Sequence, residues 1–144
     1  MKVKMLFVSA DKFPPFRVDT VVLFGKELVG RLGYNVDWLM QSADRRDTTG
    51  IELWMGCSVS VAAADTADGR VHRFRKRLQN WRNDCQMLRS VRSRPYDIVQ
   101  AKDRYLGAVI ALLAARLNGK KFVYWLSFPA ADASIYRARQ GIAR

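Results

Sequence analysis

The chain has 144 residues, 49% of them hydrophobic and 26% charged, with 25 Lys and Arg against 13 Asp and Glu for a formal net charge of +12. That length suits one domain with a real core, the apolar content excludes a disordered chain, and the charge calls for an anionic partner, a membrane surface or a nucleic acid. Cys57 and Cys85 form neither a disulfide framework nor a Cys-x-x-Cys zinc pattern, so reduced thiols and no metal are expected.

The first run, Val3 to Ser9, is mostly apolar and fits a central strand that Asp11 to Phe16 breaks. Asp19 is placed to cap a helix beginning at Thr20, in which Val21, Phe24, Leu28 and Leu32 recur at helical spacing before Gly33 supplies a stop. Asn35 to Met40 follows as a second strand. Gln41 to Gly50 reads as a polar loop, Leu53 to Val61 as a further strand or hairpin, and Asp65 to Gly69 as a turn.

From Arg70 to Arg94 nine Lys and Arg stand against the single acid Asp84, so most of the net charge is one local patch. Val71, Phe74, Leu78, Trp81, Cys85 and Leu88 fall on one line of a helix, with most of the arginines on the remaining arc. Two readings stay open. Either the stripe docks on the sheet and the arginines are a solvated face, or Arg73, Lys76, Arg77 and their neighbours form an anion or membrane surface. Beyond it, Tyr96 to Gln100, Leu106 to Asn118 and Lys120 to Leu126 read as strand, buried helix and strand. Such a unit demands a parallel sheet with helices on its faces.

The N-terminal apolar run ends by Ala10, too short for a signal segment, and the Leu106 to Leu117 run falls short of the roughly 20 residues a membrane span needs. The expected location is cytoplasmic, with the inner face of the membrane as the place for a peripheral contact.

Four segments taken together resemble the N-terminal domain of a family 4 glycosyltransferase of GT-B fold: Met5 to Phe16 (MLFVSADKFPPF), Gly33 to Met40 (GYNVDWLM), Tyr96 to Arg104 (YDIVQAKDR) and Lys121 to Pro129 (KFVYWLSFP). The resemblance covers nearly the whole chain and rests on the order and spacing of the four. It implies a Rossmann-like three-layer α/β/α sandwich with a mostly parallel sheet, one half of a GT-B fold spanning residues 1–144. It also implies a sugar transferred from a nucleotide sugar to a saccharide or lipid-linked acceptor, with this half on the acceptor side. A C-terminal partner domain, needed for the nucleotide, is expected to be missing. The tail from Ser134 to Arg144 reads as a helical pattern without a finish, and without the residues that would hold the nucleotide the isolated chain is expected to be inactive.

Two departures from the family pattern bear on the site. Phe16 to Asp19 replaces a Gly-Gly pair that would meet a diphosphate, leaving Arg17 as a side-chain substitute, and Gln100 and Lys102 stand where relatives carry histidines. The only histidine, His72, lies on the basic helix, so no catalytic base is nominated. Candidate substrate-binding residues are those at strand ends, where parallel sheets hold their ligands. They are Lys12, Phe13, Pro14 and Arg17 after the first strand, Gln100, Lys102, Asp103 and Arg104 after the Ile98 strand, and Ser127 and Phe128 after the last. No cofactor is expected.

Two other classes compete with glycosyl transfer. A nucleic-acid-binding module is favoured by charge alone, but Phe74 and Trp81 lie on the apolar line and form no stacking platform among the arginines. A small nucleotide-binding α/β module lacks a Gly-rich phosphate loop.

Overall fold

A computed structural model describes residues 2–44, 46–64 and 70–127, without the side chains at 70–77, 80, 81, 84 and 86. The expected turn at 65–69 and the tail from residue 128 lie outside the described residues.

The elements run β1 (Lys4–Phe13), a π-helix (Asp19–Arg31), β2 (Asn35–Ser42), β3 (Gly50–Trp54), β4 (Cys57–Ala62), α1 (Arg70–Ser93), β5 (Ile98–Lys102), α2 (Tyr105–Leu117) and β6 (Lys121–Trp125). The six strands form one sheet of order β3-β4-β2-β1-β5-β6. Only β3 runs antiparallel to its neighbour. The expected α/β class, a Rossmann-like fold with a mostly parallel sheet, is what the chain adopts. After β1 the chain moves outward through β2 to β4, then crosses back to place β5 on the other side of β1. The crevice between β1 and β5 is therefore the point at which the winding reverses.

Alternation along the strands sorts side chains onto two faces. One face, with Leu6, Val8, Leu39, Val99 and Ala101, is buried under Met87 and Val91 of α1 and Ala108, Ala111, Ala114 and Ala115 of α2. The other carries Met5, Phe7, Val36, Trp38, Met40, Val59 and Val61 beneath Phe24 of the π-helix. This second core is aromatic. Phe7 meets Phe24 and Trp38 with ring centroids 4.7 Å apart, and Trp38 meets Trp54 at 5.1 Å.

The helix after β1 is wound more loosely than the periodicity predicts. Its hydrogen bonds span five residues, as from Leu32 N to Glu27 O, so the inward line passes through Thr20, Phe24 and Gly25 and then Leu28 and Val29. Val21 is only half-buried and Leu32 is exposed. Gly25 lies against the end of β3 and the turn that follows it: a Cβ there would lie 2.6 Å from Met55 Sδ and 2.8 Å from the Trp54 ring. The Leu53 to Val61 segment resolves into a hairpin turning at Met55 and Gly56, both at positive φ (51° and 74°). A two-residue turn of that kind matches the twist of the strands it joins.

Both remaining helices depart from their sequence patterns. α2, read as a buried helix, buries Gly107, Ala108, Ala111, Ala114 and Ala115 and leaves Leu106, Val109, Leu113 and Leu117 exposed. Small residues let the helix lie close on the sheet, and the leucines are left on its outer side. In α1 the packed line is Asn83, Met87 and Val91, whereas Leu78 and Leu88 of the expected stripe are exposed. Met87→Ala should therefore cost about 2–5 kcal/mol by opening a core cavity. Leu88→Ala should change stability by no more than about 0.5 kcal/mol. Denaturant unfolding of the two variants checks this, and the reverse order would mean that α1 packs through the other line.

Candidate functional site

At the carboxyl ends of β1, β5 and β6, five charged side chains and two hydroxyls close into one network beside the first turn of the π-helix. Its centre is Lys102, the last residue of β5. Gln100 and Lys102 alternate with Ile98, so they share the π-helix face, and Lys102 is 0% exposed. Its Nζ donates to Asp11 Oδ2 at 2.7 Å and to Thr20 Oγ1, and lies 3.0 Å from Asp19 Oδ2. Thr20 in turn donates its hydroxyl to Asp11.

Asp11 lies at a local irregularity in β1. Between Val8 and Lys12 the strand advances four residues while β2 advances only from Leu39 to Gln41, so β1 carries two extra residues. Within that bulge the Asp11 amide donates to Ser9 Oγ at 3.0 Å, and both residues are buried.

Arg17 forms the outer part of the network. Its side chain is 36% exposed, it donates to Asp103 Oδ2 at 3.0 Å, and it lies 3.6 Å from both Asp11 and Asp19. Asp103 follows β5 at φ 54°, a left-handed conformation that Asp and Asn tolerate better than most residues. Its Oδ1 accepts the Ser127 amide at 2.8 Å, and its own amide donates to Trp125 O at 3.1 Å. Ser127 Oγ donates to Asp19 Oδ2 at 2.8 Å. Asp103 and Ser127 thus fasten the ends of β5 and β6 to each other and to the loop before the π-helix.

Of the residues nominated from sequence, Arg17, Lys102, Asp103 and Ser127 come together. Gln100 is buried on the same face of β5, one alternation short of the network. Lys12 and Pro14 are exposed, and Phe13 packs against the aromatic core. Arg104 precedes α2, and its carbonyl accepts the Ala108 amide at 2.7 Å. Phe128 lies outside the described residues, as do the side chains of Arg73, Lys76 and Arg77. Asp11, Asp19 and Thr20 were not among the nominees. Asp19, expected to cap the helix, does accept the Thr20 amide at 3.0 Å, but its other oxygen serves Lys102 and Ser127.

Arg17 and Lys102, the two cations of the network that the strand-end rule nominated, are both already ion-paired. Three carboxylates, Asp11, Asp19 and Asp103, already face the two cations. Lys102 also lies within the packed interior, on the strand itself, where a loop position was expected. For Asp19, burial works to raise the pKa, yet the hydrogen bonds from Lys102 and Ser127 and the nearby charges of Lys102 and Arg17 outweigh it. The carboxyl is held below its ordinary value of 3.8. Among the described residues no cluster of His, Cys, Asp and Glu is arranged to hold a metal ion.

A cavity of about 240 Å³ opens elsewhere, on the α1 face of the sheet, lined in part by Asp37, Ser58, Ser90, Arg94 and Tyr96. Asp37 and Ser58 lie near the amino ends of β2 and β4, away from the reversal point. There Asp37 Oδ2 accepts from Arg94 at 2.9 Å and from the Tyr96 hydroxyl at 2.7 Å. Burial, together with that bond and the Asp37 charge, keeps the Tyr96 phenol protonated well above its ordinary range. This arrangement holds the end of α1 to β2, and the strand-end crevice remains the candidate site.

No protein-family model matches the chain, and no curated protein sequence matches it. Among solved structures the chain is similar to the C-terminal domain of a hydrogenase from Pyrococcus furiosus, with a TM-score of 0.58 and 14% identity over 88% of this chain and 93% of that one. At that identity the likeness extends to the fold alone.

Removing the buried ammonium should be costly. Lys102→Met leaves Asp11 without its main counter-charge and should destabilise the protein by about 3–5 kcal/mol, part of which Asp11→Asn should recover in the double variant. Equal stability of Lys102→Met and wild type in denaturant unfolding would contradict the burial. A second test concerns acid. Because the folded pKa of Asp19 is depressed, its contribution is complete above the unfolded value near 3.8 and is lost as the pH falls through the lower folded value. Asp19→Asn should therefore flatten the acid limb of the stability profile and leave the neutral region without that slope.

Proposed function

We propose that this chain is the acceptor-holding half of a two-domain glycosyltransferase, and that the crevice between β1 and β5 receives hydroxyl groups of a saccharide or lipid-linked acceptor. The observation that carries the reading is the strand-end network itself. It sits where a doubly wound sheet holds ligands, and its three carboxylates, two paired cations and two hydroxyls suit a neutral polyol better than a phosphate. Carboxylates accept from sugar hydroxyls, while Arg17 and Ser127 donate and are only partly buried. The order of the four family-like segments agrees: they supply β1, β2, β5 and β6, and the network draws on three of them.

The same balance argues that the nucleotide diphosphate of a donor is held elsewhere, by a second domain across a cleft. Transfer needs acceptor positioning and donor electrostatics together. The small nucleotide-binding alternative loses support for the same reason, since the cations at the reversal point are already matched.

On this reading the purified chain binds an acceptor glycan without turning over any nucleotide sugar. Asp103→Asn, which keeps the left-handed backbone tolerable while removing the charge, should weaken glycan binding by about 1.5–3 kcal/mol, and Arg17→Ala should weaken it similarly. Calorimetric titration against a panel of neutral and phosphorylated saccharides, with circular dichroism as the control for folding, checks both. Unchanged glycan affinity in both folded variants would remove the crevice from the function, and turnover of a nucleotide sugar by the chain alone would overturn the division of labour.

A further inference from the structure

We propose that the outward face of α1 is a docking surface for an anionic lipid bilayer, an inference that stands independently of the glycosyl-transfer reading. The helix is 24 residues long, about 36 Å at 1.5 Å per residue. Its packing line is Asn83, Met87 and Val91, buried to 5%, 0% and 0% exposure. The line through Leu78, Cys85 and Leu88 is centred roughly 150° around the helix from it, at 100° per residue. Leu78 is 44% and Leu88 39% exposed, so this second apolar line has no core to enter. In the sequence it continues the spacing of Val71, Phe74 and Trp81.

Arg82, Arg89 and Arg92 are exposed on the same outer arc. The whole segment from Arg70 to Arg94 carries nine Lys and Arg and one Asp. An outer face that interleaves leucines with arginines has the two properties an interfacial helix uses, apolar side chains that enter the acyl boundary and cations that meet lipid phosphates. A solvated helix face would carry the charges without the apolar line. Exposed aliphatic side chains such as Leu78 and Leu88 can enter an acyl boundary, whereas they offer a nucleic acid neither a hydrogen bond nor a stacking face. Among the described residues no helix is long and apolar enough to cross a membrane, so the contact is one that lies on the surface.

The experiment is co-sedimentation of the full chain with vesicles of neutral phosphatidylcholine and with vesicles containing anionic phosphatidylserine, each at low and high salt. The wild type is expected to bind the anionic vesicles and not the neutral ones. Replacing Arg82, Arg89 and Arg92 together by Ala should lower partitioning about a hundred-fold, at roughly five-fold per cation. Leu78→Gln with Leu88→Gln should lower it about ten-fold or more at unchanged charge, because apolar burial is lost. All five positions are exposed, so the variants should melt with the wild type, and a blue shift of tryptophan emission on vesicle addition gives a second reading. Equal binding to both vesicle types, no binding to either, or full binding by the leucine variant would overturn the proposal. The last outcome, combined with tight binding of a DNA duplex, would assign the cationic face to nucleic acid.

Discussion

One buried ammonium organises the strand ends. Lys102 lies in the interior at the end of β5, and an uncompensated charge there would cost several kcal/mol. Its compensation comes from two other elements at once: Asp11 from the bulge of β1, and Asp19 and Thr20 from the first turn of the π-helix. Asp19 then holds Ser127 beyond β6, and Asp11 stands beside Arg17, which holds Asp103. The irregularity in β1 adds two residues and so keeps the period-two alternation, which leaves Asp11 on the face of Met5 and Phe7 that Lys102 also occupies. The start of the π-helix is fixed by the need to bring Thr20 and Asp19 against one cation.

The two faces of the sheet solve their packing differently, and that difference explains why the helices do not follow their sequence patterns. On the π-helix side, large rings fill the space from Phe7 through Trp38 to Trp54, and the wider winding keeps Phe24 over Phe7 while Gly25 makes room for the β3–β4 turn. On the other side, α2 presents a row of alanines, and close approach substitutes for side-chain volume. A helix seated through alanines leaves its leucines outside. α1 is seated by Met87 and Val91, two residues of the basic segment that the regular apolar line does not include.

Much of the fold was legible. Each expected strand core was right, because a β-branched run between turn signals has few alternatives, and the spacing of Tyr96 to Leu126 required a parallel crossover. Helix faces were less legible, since periodicity identifies an apolar line without saying that the line is the one buried; in α1 the sheet takes the other side. The β3–β4 hairpin was only half-visible because its turn uses Met55 where Asn or Asp would announce it. For the site, the strand-end rule found Arg17, Lys102, Asp103 and Ser127. It missed Asp11, read as the residue that ends β1, and Asp19 and Thr20, read as an ordinary helix start. The missing signal was the alternation of Ile98, Gln100 and Lys102, which already places the lysine on an interior face, and an interior lysine requires acids nearby.

The charge of the chain has a consequence for how these regions relate. A net charge of +12 calls for an anionic partner, yet the strand-end site draws three carboxylates around its two cations. The excess resides largely between Arg70 and Arg94, on a helix whose inner line packs on the opposite face of the sheet from the π-helix. Charge at a crevice that is internally matched is felt only at short range, whereas a segment with nine cations and one acid in its sequence projects its field for about a Debye length, roughly 8 Å at physiological salt. The net charge therefore informs about the outer surface of one helix and carries little information about the chemistry between β1 and β5. A basic composition and a phosphate site are separate propositions, and in this fold the ion pairs around Lys102 keep them apart.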